Sequence, residues 1–237
     1  MRHLIVSFTL CILLLVPCRA AAQDEERASL DITRMPVEAA TVKDFIPPGW
    51  SRVEELGGDL DADGRADVVL RLIEQQQPES EGGFSGANRA FVVLLRTGAG
   101  KLRRVGTNDR AQLCDGCAGT LGAVGMDSNQ MQIARGVIIL NHLSGARDSY
   151  DVTFRFRYDA PSGRVRLIGA DTILTDRLAG DGTTESINYL TGVKLTTKTR
   201  FDKRLDREVK ASTKRERVPA RKIFLEAVDF KKMYGAS

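Results

Sequence analysis

The segment Asp151-Val152-Thr153-Phe154-Arg155-Phe156-Arg157-Tyr158 alternates without a break, with Val152, Phe154, Phe156 and Tyr158 on one side and Thr153, Arg155 and Arg157 on the other. A period of two fits a strand with one buried and one wet face, and it does not fit a helix, whose faces recur every ~3.6 residues. Asp159-Ala160-Pro161-Ser162-Gly163 supplies turn chemistry, and Arg164 to Ile168 reads as the returning partner. A second hairpin is expected where Phe91–Leu95 and Leu102–Val105 flank Gly98-Ala99-Gly100, and Gly136–His142 is a further strand. Gln75 to Asn88, with Pro78, Gly82, Gly83 and Gly86, reads as a surface loop. Helix is expected only as a short piece around Val37–Phe45 and a turn around Leu225–Met233. The predicted fold is mainly β, made of antiparallel sheets and hairpins.

Met1-Arg2-His3, the apolar run Leu4–Val16 and the small residues Ala20-Ala21-Ala22 have the three parts of a secretory signal peptide. The run is too short to span a bilayer, and no later segment is long and apolar enough to do so. A cleaved, exported chain is expected, periplasmic or secreted, beginning after Ala22. Cys18 suggests a lipid-anchor reading, but Pro17 stands where a small residue would be needed.

Processing would remove Cys11 and Cys18 and leave Cys114-Asp115-Gly116-Cys117. In an oxidising compartment this pair reads as a short structural disulfide. A redox pair would want a helix start after it, and Ala118-Gly119-Thr120-Leu121-Gly122 reads as too glycine-rich for one. Zinc needs three or four ligands, and only His142 would remain to join the two cysteines.

In Asp59-Leu60-Asp61-Ala62-Asp63-Gly64-Arg65-Ala66-Asp67, carboxylates fall at positions 1, 3, 5 and 9 and a glycine at position 6. Asp-rich turns with glycine also form without a metal, because Asp bonds its own backbone and Gly accepts positive φ. Four repelling carboxylates nevertheless suit a hard cation. Ca²⁺ held by Asp59, Asp61, Asp63, Asp67 and the carbonyl of Arg65 is the expectation. A full EF-hand is not expected, since position 12 is Leu70 and the following Val68–Ile73 reads as a strand.

Ile46-Pro47-Pro48-Gly49-Trp50, followed by Gly58 to Leu70, resembles the calcium-loop unit of FG-GAP/VCBS-type repeats, which build the β-propeller blades of integrin-α-like domains. More broadly the chain resembles secreted bacterial proteins that carry one such unit before a β-rich region of unassigned function. The resemblance implies calcium ligation at Asp59, Asp61, Asp63, Arg65 and Asp67, and it supplies no catalytic residues. A propeller needs about four to eight blades. One such loop, without internal repetition, implies a single blade-like unit and not a complete propeller.

Charge is distributed unevenly. Gln23 to Gly86 carries 15 acidic and 6 basic residues, whereas Lys194 to Ser237 carries 14 basic and 6 acidic ones. Val193 to Arg200 alternates, and Lys203 to Arg217 is thick with basic residues. The expected organisation is a signal peptide over 1–22, a β-rich domain over 23–185 and a basic β-hairpin extension over 186–237. The hairpin is either a solvated protrusion, its edges kept soluble by lysine, or a surface for an anionic partner at Lys194, Lys198, Arg200, Lys203 and Arg204. That partner would be a protein or an envelope polymer, or anionic head groups touched peripherally. Nucleic acid is a poor fit to an exported chain without interleaved aromatics.

Signatures of catalysis are thin. His142 is a lone histidine on an apolar strand, Gly83-Phe84-Ser85-Gly86 falls one residue short of a nucleophile elbow, and no P-loop or dinucleotide fingerprint occurs. A non-catalytic calcium-binding module is the leading expectation, and a secreted hydrolase with an acidic cleft is the alternative.

Overall fold

The structure, a computed structural model, describes residues 30–75, 86–123 and 129–234. The expected signal peptide, Cys11, Cys18, most of the Gln75–Asn88 loop and Gly83-Phe84-Ser85 lie outside the described residues. The fold is mainly β, with two antiparallel sheets.

The smaller sheet has the order β1-β5-β4-β3-β2. Its strands are β1 (Glu38–Ala39), β2 (Trp50–Gly58), β3 (Asp67–Glu74), β4 (Arg89–Arg96) and β5 (Leu102–Asn108). β3 and β4 are almost continuously apolar because both of their faces are covered. Val68, Leu70 and Leu72 of β3, with Val92 and Leu94 of β4, pack under the N-terminal segment through Leu30, Met35, Phe45 and Trp50. Val69 of β3 and Phe91, Val93 and Leu95 of β4 face the other way into the main core. Each large side chain removed from water here contributes at most about 1.5–3 kcal/mol.

The larger sheet is a meander in chain order from β6 to β12. Its strands are β6 (Asn129–Ala134), β7 (Val137–Gly145), β8 (Asp148–Asp159), β9 (Arg164–Asp176), β10 (Asp181–Asn188), β11 (Val193–Asp202) and β12 (Arg207–Arg217). A short β13 (Ile223–Phe224) pairs with β9. The expected β8–β9 hairpin forms, and Val152, Phe154 and Phe156 are fully buried in the main core with Leu140, Val165 and Leu167. The two sheets thus sandwich one core. The larger sheet runs on past it: no residue of β11 or β12 belongs to either core cluster.

The segment Leu225 to Phe230 closes the sandwich. Leu225, Val228 and Phe230 enter the main core. Asn108, buried at the end of β5, donates through Nδ2 to the carbonyls of Leu225 (2.6 Å) and Val228 (2.8 Å). Its Oδ1 accepts from the amides of Arg110 (2.7 Å) and Ala111.

Two local expectations are corrected. The piece around Val37–Phe45 is β1 followed by a single 3₁₀ turn, Val42–Phe45, started by a Thr41–Asp44 capping box. Pro36 and Pro47 leave too few residues between them for an α-helix to propagate. Conversely, a five-residue helix α1 (Gly119–Ala123) follows the cysteine pair despite its glycines. Gly119 adopts φ +68° with its Cα against the Gly145 carbonyl, where a Cβ would lie 2.9 Å from that oxygen, so packing on β7 requires glycine there. Residue 186 lies within β10, and β11 and β12 pair as a hairpin that continues the larger sheet.

Candidate metal centre

The acidic loop connects β2 to β3, entering after Gly58 and leaving at Asp67. Its turns follow from aspartates bonding their own backbone. Asp59 accepts from Ala62 N (2.7 Å) and Asp63 N (3.2 Å) at Oδ1, and from Gly64 N (3.0 Å) at Oδ2. Asp61 Oδ1 accepts from Asp63 N (3.2 Å) and Asp63 Oδ1 from Arg65 N (2.8 Å). Gly64 has φ +83°, and Ala62 is held at φ +65°, a conformation that costs a Cβ-bearing residue about 1 kcal/mol or more.

Asp67 is the anchor. Its carboxylate is fully buried, accepting Leu60 N at Oδ2 and Arg96 N at Oδ1, both at 2.8 Å. Burial raises its pKa above the usual carboxylate value, the two amides pull it back down, and the charges of Asp61 and Asp63 raise it further. One oxygen each from Asp59, Asp61 and Asp67 lies within 4.8 Å of the others. These are exposed, half-buried and buried groups in turn, so an ion among them would meet protein on one side and solvent on the other. The donors are all carboxylate oxygens, which suits a hard divalent cation. A cation there would remove the charge repulsion now raising Asp67.

The structure therefore gathers three of the four loop aspartates. Asp63 is turned to its own neighbour, with its Oδ2 on the Arg65 guanidinium. Arg65 itself is exposed, and its Nε donates to the Arg96 carbonyl (3.3 Å), tying the loop to the end of β4.

Cys114 and Cys117 lie within disulfide distance, with Cα atoms 5.1 Å apart, in a turn where Cys117 N donates to Cys114 O (3.1 Å). Arg89 reaches Asp115 of the same turn (2.9 Å). On the basic hairpin, Lys194 pairs with Glu185 (2.7 Å) and is half-buried. Lys198 lines a hollow of about 380 Å³ with Asp148, Asp176 and Asp181. Arg200 is exposed on the same face of β11, and Lys203 and Arg204 sit in the β11–β12 turn.

His142 is sealed in the core between Phe154 and Phe230, with ring centroids 6.1 and 4.9 Å away. Neither ring nitrogen meets a partner in hydrogen-bond geometry, although the Ala111 carbonyl lies close enough to favour its proton. Burial, seconded by the charges of Arg71 and Arg89, lowers its pKa to about 3, so the ring is neutral at physiological pH. Sequence reasoning passed over Arg71, which interrupts the apolar run of β3. Its side chain is 5 % exposed and pairs with Glu54 of β2 at 2.5 Å, beside a hollow of about 380 Å³ lined also by Gln130, Gln132 and Asn141. A lone arginine inside an apolar strand was the available signal.

No family model, curated protein or solved structure matches this chain.

Proposed function

We propose that this chain is an exported β module stapled by a calcium ion at Asp59, Asp61 and Asp67, serving as a binding protein of the periplasm or cell surface. One observation carries the metal reading: a fully buried carboxylate, Asp67, has two further carboxylate oxygens within 4.8 Å. Asp63 and the Arg65 carbonyl complete the ligand set if the Asp63–Arg65 contact opens on loading. The FG-GAP-type reading is supported by β2–β5, a four-stranded antiparallel meander carrying the loop in its first hairpin, which is the strand count of one propeller blade. The binding reading is supported by the exposed cations Lys198, Arg200, Lys203 and Arg204 on a hairpin outside the core.

Melting curves in Ca²⁺ and in chelator test the proposal. Ca²⁺ at about a hundredfold its dissociation constant stabilises by roughly 2.7 kcal/mol, which raises Tm by several degrees. Asp61→Ala abolishes the rise while leaving the chelated Tm nearly unchanged. A wild-type curve that is the same in both conditions rejects the calcium staple.

A further inference from the structure

Past the sandwich, one face of the larger sheet carries two opposed charge fields. The register places Asp148, Asp176 and Asp181 in one cross-strand row, Asp148 opposite Asp176 and Asp176 opposite Asp181. Like charges directly opposite repel. Alternation along β10 and β11 puts Glu185 on this same face, followed across the β10–β11 boundary by Lys194, Lys198 and Arg200. Lys214 of β12 extends the basic side, opposite Thr196. The face is acidic over β8–β10 and has a basic excess over β11–β12, where Lys194, Lys198, Arg200, Arg207 and Lys214 outnumber Asp202 and Glu216. Some of this charge is satisfied internally, by Lys194–Glu185, Lys214–Glu216 and Arg147–Asp176. Among the described residues, Asp148, Lys198 and Arg200 make no ion pair.

Apolar surface lies within the same field. Tyr150 and Leu174, directly opposite each other on β8 and β9, are 38 % and 37 % exposed and floor the hollow that Lys198 and the three aspartates rim. At the adjoining turns Leu178 is 80 % and Leu205 is 54 % exposed. A sheet ordinarily buries one face, and exposed apolar groups rimmed by charge mark contact surfaces.

We infer that this face pairs with a second copy of the same chain, face to face, about a two-fold axis running parallel to the strands along the β10–β11 boundary. Such an axis exchanges the two halves, laying β10 of each copy over β11 of the other and β9 over β12, so that Asp176 and Asp181 meet the basic strands and Leu174 is covered, while Asp148 and Tyr150 of β8 flank the partner's outer edge. Two sheets packed in this way sit about 10 Å apart, within reach of lysine, arginine and aspartate side chains. A two-fold contact must be self-complementary, and a face carrying both signs in separate halves meets that requirement. A basic face alone would instead have suited an acidic polymer. The inference rests on the hairpin being a contact surface, as proposed above, and not on the metal.

Sedimentation equilibrium of the purified protein at low and high salt provides the test. The wild type dimerises at up to about 100 μM, and added salt weakens the dimer. Asp148→Lys with Asp181→Lys shifts the face toward basic, and Lys198→Glu with Arg200→Glu shifts it toward acidic. Each double variant raises the dimer dissociation constant at least about tenfold. An equimolar mixture of the two variants associates again as a heterodimer. All four positions carry exposed or lining charges outside the core, and unchanged melting curves verify the fold of each variant. A wild type monomeric throughout this range, variants that dimerise as the wild type does, or a mixture that stays monomeric would each overturn the inference. Dimerisation persists in chelator, so loss of the dimer and loss of the calcium response are separately readable.

Discussion

β3 and β11 are both inner strands with a hydrogen-bonded neighbour on each side, yet they have opposite surroundings. From Asp67 to Leu72 every residue of β3 is buried, whereas none of β11 is. The ladders are equivalent in kind, so backbone hydrogen bonding does not explain the difference. Side chains do: Val68-Val69-Leu70-Arg71-Leu72 obliges both faces to be covered, and Lys194-Leu195-Thr196-Thr197-Lys198 obliges neither. Stability therefore resides in the first region, and the second is free to present charge.

Truncation breaks or upholds that contrast most directly. Leu70→Ala, at a fully buried position, costs about 2–5 kcal/mol in urea unfolding. Leu195→Ala, at a side chain 39 % exposed, costs well under about 1 kcal/mol. Equal losses would mean that the overhanging strands are covered in solution.

Acid sharpens the comparison next. The folded state refuses His142 the proton that the unfolded chain accepts at its ordinary pKa of 6.5, so stability present above pH 6.5 falls as pH drops toward about 3. From pH 7 to pH 5 this amounts to about 2 kcal/mol. His142→Phe, placed among Phe154 and Phe230, flattens that slope in denaturant melts recorded across the interval. The raised affinity of buried Asp67 for a proton acts in the opposite sense, adding stability as pH falls, so a loss of stability toward acid that persists in His142→Phe would locate the acid sensitivity elsewhere.

Replacing Cys114 and Cys117 with alanine costs roughly 1.5–2 kcal/mol by the chain-entropy relation for so short a loop, measured against the oxidised protein. The smallest effect belongs to the overhang: Thr197→Ala, which loses a 3.3 Å hydroxyl contact to Thr213 at an exposed site, changes stability by less than about 0.5 kcal/mol.

The same contrast explains what could be read from the sequence. β7, β8, β9 and the β4–β5 hairpin show themselves because burial of one or both faces imposes a pattern. β10, Asp181-Gly182-Thr183-Thr184-Glu185-Ser186-Ile187-Asn188, has no fully buried position and hence little pattern to detect. β2 hides for another reason: a register shift between Arg52 and Glu54 breaks its alternation. In the acidic loop, aspartate spacing indicated the oxygen-rich cluster. Which aspartate is buried depends on Leu60 and on Arg96, 29 residues beyond Asp67, and no local spacing encodes that. Asp63 looked equivalent to its neighbours until Arg65 folded back on it.

Asn108 gives the fold a schedule. Its amide holds the carbonyls of Leu225 and Val228, 117 and 120 positions further along the chain. A chain lengthening from its N-terminus can zip β2 to β5 and then β6 to β12 by successive local hairpins, each closing a short loop quickly. The main core nevertheless stays open along one side until Leu225, Val228 and Phe230 dock, and only then do the Leu225 and Val228 carbonyls reach the Asn108 side-chain amide. Assembly is thus local along the two meanders and long-range where Leu225 to Phe230 docks, which makes that docking the step expected to limit the rate of folding.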